Sequence, residues 1–373
     1  MRKVDTDKLN KLTQTLIGDS QSGELSRNQA LYLALGECTL CIRSNSRELI
    51  ELLANYFSYV ITAASEPDIE VSAIEREALP LETLGVEFTD WIREPGKTSR
   101  KDSYFDLPGA RLLRKVRTGM VFLQSETQRI AAGPCLKNDN QVINFINAQY
   151  MNWLQQRDWL ICHAAALVHR GRALAIAAFS GGGKSTLMLH MLETPETRFL
   201  SNDRLFIKSD DSGTQAAGIP KLPRINPGTI AHNPRLKPLL PAQRHEALLA
   251  MPKDELWQLE EKYDVIIEQL YGPNRVTAIE TPLAGFLVLN WQHDSDQPMQ
   301  LQRVNLAERR DLLAAIMKSP GPFYQQVDGS FLQTPRLLDE RHYLDALADT
   351  PIFEASGRVD FDAVVQRLDE LIG

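Results

Sequence analysis

The chain has 373 residues, 43% of them hydrophobic and 24% charged, with a formal net charge of −7. That length exceeds what one hydrophobic core usually serves, and the composition excludes a disordered chain, so two folded domains are expected. The acidic balance argues against a protein built to grip nucleic acid. No apolar run reaches the roughly 18–20 residues a bilayer crossing needs, and the opening MRKVDTDKLNKLTQ lacks the apolar core of a secretory signal. The expectation is a cytoplasmic protein with no membrane or nucleic-acid partner.

Residues 1–35 read as helical, with Leu9, Leu12 and Leu16 at helical spacing. A strand follows at 37–44, then an amphipathic helix from Arg47 to Val60 with Ser46 as its N-cap. Strand-like pieces lie at 69–75 and 86–92, and 95–103 (PGKTSRKDS) reads as a polar, basic loop. Three short strands from Arg111 to Ala132 form a meander, with Thr118-Gly119 as a hairpin turn. Asp139 to Arg157 has helical periodicity. Cys38 and Cys41 make a CxxC, but no second pair or His cluster accompanies it and the segment alternates like a strand, so buried thiols are expected. Residues 1–157 thus read as an α+β domain without visible chemistry.

From residue 158 the texture changes. Leu160–Val168 and Ala173–Ala178 are two apolar strands joined by a turn at 169–172, and Phe199–Lys208 (FLSNDRLFIK) follows. Later strands are expected at 285–291 and 299–304, and helices at 305–318, 337–348 and 360–372. Between Ser212 and His245 lie six prolines and no acidic residue. That many prolines prevent a regular helix or central strand, so the span reads as an ordered loop or arm. Its basic residues Lys221, Arg224, Arg235 and Lys237 either face water or face phosphate or an acidic partner.

The chemistry concentrates in ALAIAAFSGGGKSTL, residues 173–187. A strand, a glycine-rich loop and a helix in that order form the phosphate-binding loop of nucleotide enzymes. Glycines let successive backbone N–H groups point into one concavity, and the helix adds its unpaired first-turn N–H groups and positive dipole end. Ser180, Gly181, Gly182, Gly183, Lys184, Ser185 and Thr186 are the nucleotide-binding candidates. Lys184 would reach the outer phosphates, and Ser185 would ligate Mg²⁺. The loop also needs a carboxylate for the metal, and Asp203 in LSND, at the end of a short apolar strand, is the candidate. In a parallel sheet the ends of adjacent strands lie side by side, which would bring Asp203 to the loop. His163, inside the apolar LICHAAALV, reads either as a core histidine or as part of the site.

The run HAAALVHRGRALAIAAFSGGGKSTLMLHML…RFLSNDRLFI resembles the catalytic domain of the HPr kinase/phosphorylase family, and more closely the HPr kinase-related B type. The resemblance covers residues 160–208. It implies an α/β fold: a phosphoenolpyruvate-carboxykinase-like P-loop catalytic domain over 158–373, behind the N-terminal α+β domain of 1–157. It also implies ATP and Mg²⁺ as cofactors, His163, Asp203 and Arg224 as catalytic residues, Ser185 and Asp203 as metal ligands, and a protein serine, or another hydroxyl, as phosphoryl acceptor. Whether the chain forms a homo-oligomer is left open. Two positions depart from the family pattern. Ala178 replaces the first loop glycine, and Asn202 replaces the first of two adjacent aspartates, the one suited to take the acceptor's proton. An amide cannot act as that base. The alternative is therefore a nucleotide-gated regulatory or interaction protein with little transferase activity. An ABC-type ATPase is disfavoured because no LSGGQ-like segment is present, and a small metabolite kinase because its P-loop would open the chain.

Overall fold

A computed structural model describes residues 6–18, 25, 30–92, 101–179, 181–259, 261–277, 280–292, 294–334 and 338–373. Ser180 and most of the basic loop expected at 95–103 lie outside the described residues. The chain divides into two compact units, one of residues 1–158 with 319–338, the other of residues 159–318 with 339–373. The sequence-based division left 319–338 with the second domain, but this segment packs within the first. There the buried Arg111 donates to the carbonyls of Pro322 and Leu332 as well as to Asp106. Phe323 lies edge-on to Phe122 and Phe145. A buried guanidinium needs such partners, and residues distant in sequence supply them.

The first unit holds an eight-stranded sheet: β1 (Leu31–Leu35), β2 (Cys38–Ser44), β3 (Ile69–Glu75), β4 (Thr89–Asp90), β5 (Asp102–Leu107), β6 (Ala110–Lys115), β7 (Val121–Ser125) and β8 (Arg129–Gly133). Their spatial order is β1-β2-β3-β8-β7-β6-β5-β4, with β2, β3 and β8 parallel and the rest antiparallel. Helix α1 (Thr6–Ile17) buries Leu9, Leu12 and Leu16 against Ile74, Leu112 and Leu123. Helix α2 (Arg47–Tyr56) joins β2 to β3, capped by Ser46, whose hydroxyl accepts from the Leu49 N–H. Helix α3 (Asp139–Gln155) packs on β2 and β3. The helical reading of residues 31–35 is corrected to strand, because Leu31, Leu33 and Leu35 are buried at a period of two. All four cysteines are buried free thiols, and burial pushes each thiol pKa up.

The second unit is built on nine strands: β9 (Leu160–Cys162), β10 (Ala164–His169), β11 (Arg172–Ala178), β12 (Thr197–Ser201), β13 (Leu205–Asp210), β14 (Gly213–Ala217), β17 (Thr281–Leu289), β18 (Gln300–Val304) and β19 (Ile352–Ser356), with β15 (Arg224–Ile225) and β16 (Tyr263–Asp264) forming a separate two-stranded ribbon. β11, β17 and β19 are parallel neighbours at its centre, and β10 pairs antiparallel with β11 on one side and β12 on the other. Helix α4 (Lys184–Met191) follows β11 directly.

Two segments expected to be single strands are each broken. Leu160–Val168 divides at His163, and Phe199–Lys208 divides at Asn202–Arg204. The two breaks face each other. Ala166 pairs with Ser201, and Cys162 pairs with Leu205 in the same antiparallel register, so both strands leave their pairing at one place. The His163 N–H, released from the ladder, donates to the Ile316 carbonyl at 2.7 Å. Asp203 takes a left-handed φ of 71°, which Asp tolerates better than most residues. Most of the helix expected at 305–318 is absent. One short 3₁₀ turn and the helical Leu313–Ile316 remain, after which Met317 forms a β-bridge with Cys162. The proline-rich span is more regular than expected. Pro227 opens helix α5 (Pro227–Ala231), Pro234 opens a 3₁₀ turn, and Pro241 precedes helix α6 (Ala242–Leu249). Proline is tolerated at these starts because the first-turn N–H has no intrahelical acceptor. Among the described residues no helix is long and apolar enough to cross a membrane.

Candidate functional site

The β10–β11 hairpin fixes where the site forms. Ala164 lies opposite Ala177, so the start of β10 meets the end of β11, where the glycine loop begins. His163 is the residue before β10, and the hairpin carries it to the loop. β12 runs antiparallel to β10, so its own end, with Asn202 and Asp203 beyond it, reaches the same edge. The expectation of a parallel strand directly beside β11 is therefore corrected. β10 stands between β11 and β12, and two successive antiparallel pairings bring Asp203 to the loop.

Gly181 and Gly183 hold φ of 75° and 85°, a backbone region costly to other residues. A Cβ on Gly182 would stand 2.7 Å from the Ala178 Cβ, and one on Gly183 would stand 2.9 Å from Cζ of Phe361. Phe361 opens helix α7 (Phe361–Val365), stacks on His190 and meets Trp291 edge-on. The Trp291 indole N–H donates to the Gly182 carbonyl at 2.9 Å. Trp291 lies just beyond β17, the parallel neighbour of β11, so the carboxyl ends of adjacent parallel strands shape the loop.

Three side chains converge on Asp203. Its Oδ1 lies 3.0 Å from His163 Nε2 and 3.6 Å from Lys184 Nζ, while its Oδ2 lies 3.4 Å from Lys318 Nζ. Lys184 Nζ is also 2.9 Å from His163 Nε2. One ring nitrogen cannot donate and accept at once. Nε2 therefore donates to Asp203 in one tautomer and accepts from Lys184 in the other.

Burial alone would raise the Asp203 pKa. The His163 hydrogen bond and the ammonium groups of Lys318 and Lys184 overcome it and hold the carboxyl well below the usual range. For His163 the Asp203 hydrogen bond favours the proton, but burial and the two ammonium charges outweigh it, so its pKa falls below the ordinary histidine value. Burial also lowers the Lys184 pKa, against the opposing pull of Asp203.

The remaining candidates are placed as follows. The Ser185 hydroxyl donates to Asn202 Oδ1 at 2.7 Å, so it meets the amide rather than Asp203. Thr186 shares a 2.9 Å hydroxyl contact with Thr229 of α5, which ties the start of α4 to the proline-rich span. Arg224, on β15, pairs with Asp264 of β16 at 2.8 Å and is not brought into the Asp203 cluster. Arg235 pairs with Glu193 at 2.7 Å. Lys318, Trp291 and Phe361 were not singled out from the sequence, because each arrives from a distant segment through strand pairing that no local motif marks.

The donor set fits a polyphosphate: ammonium groups, first-turn N–H groups and hydroxyls around a loop that only glycine can build. For a hard divalent cation the same edge offers the oxygens of Ser185, Asn202 and Asp203. Mg²⁺ takes few protein ligands and keeps waters and phosphate oxygens for the rest. Among the described residues no group of three or more His, Cys, Asp or Glu side chains is arranged to hold a metal ion by itself.

No protein-family model and no curated protein sequence matches the chain. Among solved structures it is similar to the HPr(Ser) kinase/phosphatase from Coxiella burnetii, at 9% identity over 57% of this chain and 87% of that one, with a TM-score of 0.27.

Proposed function

We propose that the chain is an ATP- and Mg²⁺-dependent kinase that transfers the γ-phosphoryl group to a hydroxyl acceptor, a protein serine first among them. The observation that carries this reading is the convergence of Lys184, His163 and Asp203 at the mouth of a strand–glycine loop–helix unit. The backbone N–H groups of residues 183–186 and the Lys184 ammonium would hold the phosphates, and Ser185 and Asp203 would hold the metal, which when bound neutralises phosphate charge. The acceptor oxygen would form its bond to the γ-phosphorus as the β–γ bridging bond breaks, leaving ADP. Catalysis would be mostly positioning and electrostatics.

The acceptor's proton needs a base. Asn202 cannot take it, and Asp203, ringed by cations, is too weak a base. His163 is uncharged near neutral pH, because its pKa lies below the ordinary value, and it serves best. Arg224, carried by a span that Thr229 links to α4, would leave its Asp264 partner to stabilise charge on the transferred group.

One observation favours a second reading, a nucleotide-gated interaction protein. The residue facing Ser185 is an amide, and the Thr186–Thr229 contact could relay nucleotide occupancy to the proline-rich span. The test is incubation with γ-labelled ATP, Mg²⁺ and the proteins encoded by neighbouring genes. Label on a serine in the wild type, lost in Lys184→Ala, supports the kinase. Transfer unchanged in Lys184→Ala removes the site assignment, and a melting shift with Mg-ATP but no phosphorylated product supports the second reading.

A further inference from the structure

Lys318 lies far from the glycine loop in sequence, yet two backbone contacts fix where it stands. Met317, its predecessor, bridges Cys162, and the Ile316 carbonyl accepts the His163 N–H. Its ammonium therefore comes from the wall that carries His163, not from the loop that carries Lys184. The two lysines also address different oxygens of one carboxylate, Lys184 at Oδ1 and Lys318 at Oδ2.

Their side chains are only 18% and 20% exposed. A half-sequestered ammonium is costly without a counter-charge. One carboxylate serves both ammonium groups, so the cluster carries an excess positive charge. Lys262 adds to the positive potential felt by Lys184. Such an arrangement suits a further anion arriving between the lysines.

We infer that Lys318 is a phosphate-binding residue that contacts the terminal phosphoryl group of a bound nucleoside triphosphate, with Asp203 holding it in place until that anion arrives. The inference rests on the kinase reading and deepens it by naming the residue that separates triphosphate from diphosphate. Lys184 belongs to the loop and serves both ligands. Lys318, from the wall that carries His163, serves only the group that ADP lacks.

The test is equilibrium titration of ATP and ADP, in chelator so that no metal contributes, against the wild type and the Lys318→Met, Lys318→Arg and Lys184→Ala variants. Lys318→Met keeps the apolar stem and removes the charge. It should weaken ATP by about tenfold or more and ADP by about threefold or less, and Lys318→Arg should recover most of the ATP affinity. The loss should persist when Lys318→Met is placed on Asp203→Asn. A loss that vanishes there would show that Lys318 acts only by holding Asp203, and overturns the inference. So does an equal loss for ATP and ADP, or none. Acylation footprinting of the wild type gives an answer without a variant: ATP should shield Lys318 and ADP should not, whereas equal shielding contradicts the inference. If the wild type binds neither nucleotide, the kinase reading itself fails. If it binds both and only Lys184→Ala weakens them, that reading stands and the role of Lys318 falls.

Discussion

The Ser185 hydroxyl donates a 2.7 Å hydrogen bond to the amide oxygen of Asn202, at the position where the resemblance to HPr kinases implies a carboxylate. Asn202 is 9% exposed and adjoins Asp203, so a second carboxylate there would be buried beside the first. Lys184 and Lys318 pair with Asp203, whereas a carboxylate at 202 would face the Ser185 hydroxyl. Burial and the neighbouring carboxylate would drive it toward its protonated form unless a further cation binds. Asn202→Asp should lower the melting temperature of the free protein by several degrees, about 1–2 kcal/mol at this size. Added Mg²⁺ should restore most of that loss, and phosphoryl transfer should rise by about tenfold if the missing base limits it. Thermal melts with and without Mg²⁺ check the first part. A variant as stable as the wild type and indifferent to Mg²⁺ would show that Asn202 does not face the metal.

The His163 pKa supplies a pH test. It lies below the unfolded value, so the folded state binds the proton less readily than the unfolded chain does. The stability this contributes is complete above about pH 6.5 and is lost as the pH falls through the folded value. Asp203, held well below the usual carboxylate range, stays charged through that window and adds its own loss only in stronger acid. His163→Gln should therefore show a smaller fall in melting temperature than the wild type between about pH 7 and pH 5. Burial lowers the His190 pKa in the same direction, and that contribution remains in both proteins. Parallel curves would show that His163 is not held uncharged by its neighbours.

Gly183 links backbone strain to ligand affinity. At φ 85° an alanine is strained by about 1–2 kcal/mol, and its Cβ would meet the Phe361 ring at 2.9 Å. Gly183→Ala should weaken Mg-ATP binding by about tenfold or more. Phe361→Ala in that background should recover only part of the affinity, since it relieves the contact and leaves the backbone strain. Full recovery would mean that the ring alone sets the loop shape.

How far the sequence disclosed this site depends on how local each signal is. The glycine loop was legible because its strand, turn and helix are consecutive. His163 and Asp203 were legible as candidates because each ends or interrupts an apolar run. The route that joins them was not: it depends on β10 standing between β11 and β12, and on two strand breaks sharing one register. Lys318 carries no local mark, since a lysine after a short helical turn usually faces water. In the arm 212–245 the prolines argue against regular structure, yet Pro227 and Pro234 stand at helix starts, where they are compatible with it. In residues 31–35 the helical reading fails because Leu31, Leu33 and Leu35 alternate at the period of a strand.

The most direct measurement is a calorimetric titration of Mg-ATP into the wild type and into Lys184→Ala. A polyphosphate cradle at residues 181–186 predicts saturable one-to-one binding by the wild type, and a weakening of about a hundredfold in the variant with its fold retained. Wild-type protein that takes up no heat with Mg-ATP, or a variant that binds it equally well, would contradict the account.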